Sequence, residues 1–242
     1  LNRVNAKTVL HAWNALDMGL QDIGGPIGLL SETSPDPEVR KAHLIDATLV
    51  CLKQYGFQGM SVRKICAQAG VSPGLISHHY AGKDELVAEA YQAITRQVMG
   101  QLREAMQNAA GQGARERLSA FFQASLSEKL LNPHLLEAWL AFWGAVKTAE
   151  AINHAHDKSY KEYRSILAHA LGQLALEQCW VDFDSGLAAI GLTALLDGLW
   201  LEHGLDPDTF TPAEAVLICE AWIDGLLAGG FRRFCVQAQR TG

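Results

Sequence analysis

Uninterrupted hydrophobic runs are missing from this chain: polar or charged residues break each apolar stretch before the ~20 residues a bilayer-spanning helix needs. A signal-peptide core is missing too, because Arg3 and Lys7 precede a segment from Val9 to Asn14 that is too short and too polar. The expectation is a soluble, cytoplasmic protein with no membrane partner. Cysteine is sparse and scattered. Cys51, Cys66, Cys179, Cys219 and Cys235 are odd in number and far apart, with no CxxC pair. Neither a disulfide framework nor a thiolate zinc site is suggested, and buried free thiols are expected. HExxH, GxSxG, P-loop and GxGxxG motifs are absent. His154 and His156 would lie about 200° apart around a helix, so one face cannot present both to a metal. The neighbours His78 and His79 also point in different directions. No enzymatic activity, cofactor or metal is expected.

Positive charge is also in deficit, 20 Lys and Arg against 26 Asp and Glu, net −6. Taken whole, that argues against a nucleic-acid partner. The distribution argues for one. Between Glu38 and Lys83 stand six basic residues and two acids, a local +4 that leaves −10 on the remainder. A small basic reader attached to an acidic body has this asymmetry.

Residues 1–36 read as an extension whose order the sequence does not set, ending in the linker-like SETSPDP. From Pro37 onward the apolar period is helical and no strand-type alternation stands out, so the fold class is all-α. Leu44, Ala47, Thr48, Cys51, Leu52 and Tyr55 form a stripe that Gly56 ends as a C′ glycine. Ser61 caps a short helix with Val62, Ile65, Cys66 and Ala69 inward. Gly70-Val71-Ser72 breaks it, and Pro73 opens a third helix reaching about Tyr80. After Gly82, Asp84 and Glu85 open a long helix toward Gly111. Further helices are expected at about 114–129, 134–151, 155–177, 184–204 and 212–238, with one break near Asn153.

The segment from Val62 to Tyr80, VRKICAQAGVSPGLISHHY, carries the functional signal. Two short helices joined by a glycine-containing turn make a helix-turn-helix. Ala69 is small where the helices approach, Gly70 accepts a left-handed turn, and Val71 and Ile76 plug the corner. The outer face of the second helix is left with Ser72, Gly74, Ser77, His78 and His79, short polar groups suited to base edges and phosphates in a major groove. Tyr80 and Lys83 at its end suit backbone contact, Ser61 and the free N–H groups starting the second helix offer another phosphate site, and the basic Arg40 and Arg63 are also expected to bind DNA. An ordinary helical hairpin would share the glycine turn, but neither the local basic bias nor the polar outer face.

Residues 40–86 resemble the N-terminal domain of TetR-type regulators. The frame G-F-x-G-x-S-V-x-x-I-x-x-x-A-G-V-S-x-G, followed by an aromatic and K-x-x-L, is present almost completely. Cys66 stands where Ala is usual, and Tyr80 where Phe is commoner. More loosely, Gly74-Leu-Ile-Ser-His78, Ala138-Trp-Leu-Ala-Phe-Trp143, Tyr163-Arg-Ser and Asp197-Gly-Leu-Trp-Leu201 resemble the BetI-like branch, regulators of choline-to-glycine-betaine genes. The resemblance implies a repressor that binds a palindromic operator in double-stranded DNA as a homodimer and leaves it when a small-molecule effector binds.

In the larger part, Trp139, Phe142 and Trp143 share one helix face with Leu135 and Val146. Tyr160 and Tyr163 come from the next helix, and Asp197 and Trp200 from the one after. An aromatic cage for a choline-like cation is one reading of these residues, with Asp197 or Glu137 as counter-charge. Plain core packing is the other. Ile190, Leu195, Leu199, Val216, Trp222, Ile223, Leu226, Phe231 and Phe234 are more apolar surface than a terminal helix pair needs, and the resemblance implies a four-helix dimer interface there. The expected division is 37–83 for DNA reading and 84–242 for sensing and dimerisation. The rival is a helical adaptor that binds proteins and merely retains a helix-turn-helix.

Overall fold

The structure is a computed structural model that describes residues 37–74, 76, 80–109 and 111–229. Eight helices are assigned along it: α1 (Pro37–Gly59), α2 (Val62–Ala69), α3 (Lys83–Asn108), α4 (Ala114–Ser125), α5 (Pro133–Val146), α6 (Glu150–Glu177), α7 (Ser185–Leu205) and α8 (Pro212–Leu227). The all-α class read from the sequence is the class observed. Two compact units emerge, one running to Gln97 and adding Asn132–Ser159, the other formed by Val98–Leu131 and the chain from Tyr160 on.

In the first unit, α1 packs on α2 and on α5. Leu44, Leu49, Leu52, Ile65, Ile76, Leu86, Val87, Tyr91 and Phe142 are 3% exposed or less. Each such side chain contributes roughly 1.5–3 kcal/mol of burial. Thr48 is also fully buried, and it satisfies its hydroxyl by donating to Leu44 O at 2.6 Å. Gly56 interrupts α1 at φ 63°, ψ 170°, where the stripe was expected to end; one more turn then carries the chain to Gly59.

The second unit packs α8 against α4 and α7. Glu177 accepts the Ala114 N–H at 3.0 Å, supplying the cap that Gly113 cannot. Arg115 of α4 reaches α8, where it pairs with Glu220 and, at 2.8 Å, with Asp224. Thr211 and Glu214 form a reciprocal capping box at the start of α8. Helix α7 is long and apolar enough to cross a membrane by length and composition, though Asp197 breaks its apolar run as expected from the sequence. Asp197 sits within that helix, hydrogen-bonded to Tyr160. A charged side chain so placed suits a helix of a globular body, since at a bilayer centre it costs several kcal/mol.

Several expected boundaries move. The break near Asn153 lies instead at residues 147–149, and Asn153 N–H donates to Ala149 O at 2.9 Å inside the first turn of α6. A cluster of helix formers after Thr148 outweighs the turn preference of asparagine there. α4 ends at Ser125 rather than near 129, and α8 ends at Leu227, before Gly229 at φ 80°. Phe231 and Phe234 lie outside the described residues.

Candidate functional site

The helix-turn-helix takes the local form its residues dictate. Ser61 is extended (φ −149°, ψ 158°) and its hydroxyl accepts the Lys64 N–H at 3.3 Å, capping α2. Gly70 ends α2 in the left-handed region at φ 66°, ψ 30°, and Val71 N–H closes the turn on Cys66 O at 3.0 Å. Pro73, Gly74 and Ile76 are helical, and Ile76, 1% exposed, anchors the second helix to the core. Ser72, Gly74, Ser61 and Arg63 are exposed, and Arg40 is half-buried. Ser77, His78 and His79, expected to read bases, lie outside the described residues.

Tyr80 and Lys83, two of the residues expected to grip DNA, already have partners within the protein. The Tyr80 hydroxyl donates to Glu89 Oε2 at 2.5 Å. The Lys83 ammonium donates to Phe57 O at 2.9 Å and stands 4.5 Å from the centre of the Phe57 ring. Lys64 is similarly engaged, donating to Gly59 O at 2.7 Å above the Tyr55 ring. Glu85 accepts the Ala81 N–H at 2.8 Å. Glu85 and Glu89 also line an open groove of about 750 Å³ with Glu150, His154 and Asp157, a wall that repels phosphate. Sequence reading placed Glu85 at the helix start but missed its tie to Ala81, and it missed Glu89 altogether. Glu85, four residues after Ala81 at a helix start, leaves a local capping signal; Glu89, nine residues from Tyr80, leaves none.

The aromatic candidates fall into two groups. In the first unit, Tyr91 is the hub: its ring lies 5.2 Å from Trp139 and 5.1 Å from Phe142, both edge-on, and 6.3 Å from His156. Phe142 is fully buried and acts as core. Trp139 and Trp143 are partly buried, and the indole N–H of each is enclosed without an acceptor. Glu137, the alternative counter-charge, is exposed and lies 3.6 Å from Lys53.

In the second unit, Tyr160, Tyr163 and Asp197 come together. Tyr160 donates to Asp197 Oδ2 at 2.8 Å, and the Tyr160 and Tyr163 rings are 6.4 Å apart. Burial, with the charge of Asp197 next in weight, pushes the Tyr163 phenol well above its ordinary range, so it stays a neutral donor. The Arg164 guanidinium lies 5.3 Å from the Tyr160 ring, so that ring already faces a cation. Trp200 has a packing role, donating its indole N–H to Ser125 O at 3.1 Å.

A helix capped by Ser61, a glycine turn at Gly70 and a following helix start anchored by Ile76 make the arrangement of a helix-turn-helix DNA-binding protein. Residues 44–90 match the family described as bacterial regulatory proteins of the tetR family, and residues 114–228 match the BetI-type transcriptional repressor C-terminal family. The chain is similar to the HTH-type transcriptional regulator BetI of Paraburkholderia phymatum, 31% identical over 192 residues that cover 79% of this chain and 94% of that one. BetI of Vibrio vulnificus is 28% identical over 188 residues, covering 78% and 92%. A solved Pseudomonas aeruginosa structure described as a transcriptional regulator is 67% identical, with a TM-score of 0.80 over 82% of this chain and 95% of that one. A Saccharomonospora viridis regulator solved in complex with choline shares the fold at 18% identity, with a TM-score of 0.62 over 76% and 95%.

The chain belongs to the TetR family of DNA-binding transcriptional regulators, in its BetI-like branch. This is a family of regulators and not of enzymes. Its members bind DNA and small-molecule effectors and typically act as dimers.

Proposed function

We propose that this protein is a cytoplasmic repressor that binds a palindromic operator as a homodimer and is released by a small quaternary ammonium compound of the choline type. The observation that carries the effector reading is the carboxylate of Asp197 held by Tyr160 beside Tyr163. Fixed negative charge next to phenol rings suits a cation too bulky to hydrogen-bond, and each ring contact is worth roughly 0.5–2 kcal/mol. The choline bound by the Saccharomonospora viridis regulator, on the same fold, supports this ligand class. Tyr160, Tyr163 and Asp197 are therefore the principal effector contacts. Trp139 and Trp143, whose indole N–H groups lack acceptors, stay candidates, whereas Phe142 and Trp200 serve packing.

The dimer reading rests on α7 and α8. Leu187, Ile190, Leu201 and Leu205 on α7, with Leu217 and Ile218 on α8, are 40–70% exposed. Unpaired apolar stripes on neighbouring helices are what a helical dimer covers. Leu199, Ile223 and Leu226, expected at that interface, are instead buried within their own unit. Residues 37–83 would read the operator and 84–242 would sense and dimerise. Effector binding would favour a conformation whose two reading helices no longer match successive major grooves.

Calorimetric titration with choline and betaine aldehyde tests the effector class. Saturable heat, with affinity weakened about tenfold or more in Asp197→Asn, is the expected result; no heat at millimolar ligand removes choline-type compounds as effectors.

A further inference from the structure

Tyr80 closes the reading helix: its N–H donates to Ile76 O at 2.8 Å, one turn back. Its ring is partly buried and its hydroxyl meets Glu89 Oε2 at 2.5 Å. The other carboxylate oxygen of Glu89 pairs with Lys41 of α1. One carboxylate thus joins α1, the end of the reading helix and α3. The base of this junction is firm, because Leu86, Val87 and Ala90, which flank Glu89 on α3, are fully buried. A second tie lies alongside it, where Glu85 accepts the Ala81 N–H at 2.8 Å.

We infer that Tyr80 and Glu89 are a positioning pair that fixes the end of the reading helix, and that the Tyr80 hydroxyl acts through Glu89 rather than on DNA phosphate. The chemistry separates the two roles. A hydroxyl at 2.5 Å from an ionised carboxylate is in a charge-assisted bond, about twice as strong as a neutral one. A phosphate taking the same proton would have to displace that carboxylate and remain beside it, charge against charge. Phe at this position, commoner in the resembling frame, fills the same space but cannot make the link. The Tyr80–Glu89 pair is therefore a property of this chain's own residues.

A positioning defect and a lost phosphate contact differ in what they do to specificity. Phosphate contacts are shared by all sequences, whereas a misplaced reading helix loses base contacts first. The full chain would be measured by fluorescence anisotropy against a duplex selected by the wild type from a random pool, and against a scrambled duplex. Tyr80→Phe is expected to weaken the selected duplex about tenfold and to leave the scrambled one unchanged. Glu89→Ala should do the same, and the double variant should be no weaker than Glu89→Ala alone. Glu89→Gln keeps a neutral acceptor for Tyr80 and should restore part of the affinity, binding between Glu89→Ala and the wild type, because the half-exposed Lys41 pair adds little. Should Glu89→Ala not fold, Tyr80→Phe and Glu89→Gln still decide the matter. Equal loss on both duplexes, additive losses, or wild-type binding by Tyr80→Phe would overturn the assignment.

Discussion

The hydroxyl of Tyr160 on α6 donates a 2.8 Å hydrogen bond to the carboxylate of Asp197 on α7. That bond fixes the orientation of a negative charge within a long apolar helix. A cation attracted there should feel the loss of charge more than the loss of the hydroxyl. Asp197→Asn is expected to weaken choline binding about tenfold or more and Tyr160→Phe by less, read by calorimetry. Equal, negligible effects of both would place the effector elsewhere.

The apolar stripe on α7 and α8 predicts the oligomeric state. Ile190 and Leu217 are 52% and 65% exposed, so changing both to Asp leaves the fold's own core intact. The double variant is expected to sediment as a monomer at micromolar concentration while the wild type sediments as a dimer. It should also lose the selected duplex, since half-site affinity alone is weak. A wild-type monomer would contradict the dimer.

Asp46 predicts a pH dependence of stability. It is partly buried in α1, with Oδ1 enclosed and lacking a partner, and desolvation pushes its carboxyl up to about 7. The folded state therefore holds a proton that the unfolded chain releases near the ordinary 3.8. The contribution is fully present below that value, falls as pH rises toward 7, and amounts to a few kcal/mol, on the order of 1.4 kcal/mol per pH unit in that window. Asp46→Asn should raise the melting temperature at pH 8 and make little difference at pH 4. A constant offset at both pH values would assign the effect to something other than Asp46 titration.

The turn makes a backbone prediction. An added Cβ at Gly70 would meet nothing within 4 Å, yet its φ is +66°. Gly70→Ala should therefore cost about 1–2 kcal/mol from backbone conformation alone, measured by urea unfolding. Gly82→Ala, equally uncrowded but without a positive φ, should cost far less. Similar losses at both would point to crowding or loop entropy instead.

What the sequence made legible was local. Ser61, Gly70 and Ile76 each do what the spacing implied, because caps, left-handed turns and corner plugs are set by residues within a few positions. Asn153 misled because its turn preference is weak against helix-forming neighbours. Arg115 and Ser125 were invisible as partners of Glu220 and Trp200, since those contacts join distant parts of the chain, and Glu89 was invisible as the partner of Tyr80 because nine residues across a helix break match no local period. Trp139, Phe142 and Trp143 share a face, as spacing requires, but periodicity says nothing about which rings are core. Only burial separates Phe142 from its neighbours.

The central claim is that a choline-type cation releases this regulator from DNA. The most direct test follows the anisotropy of the selected duplex bound to the full chain while choline chloride is added, with sodium chloride at equal ionic strength as control, because salt alone weakens phosphate contacts. Release by choline at concentrations where sodium chloride leaves the complex intact is the predicted result. Identical curves for the two salts would contradict it.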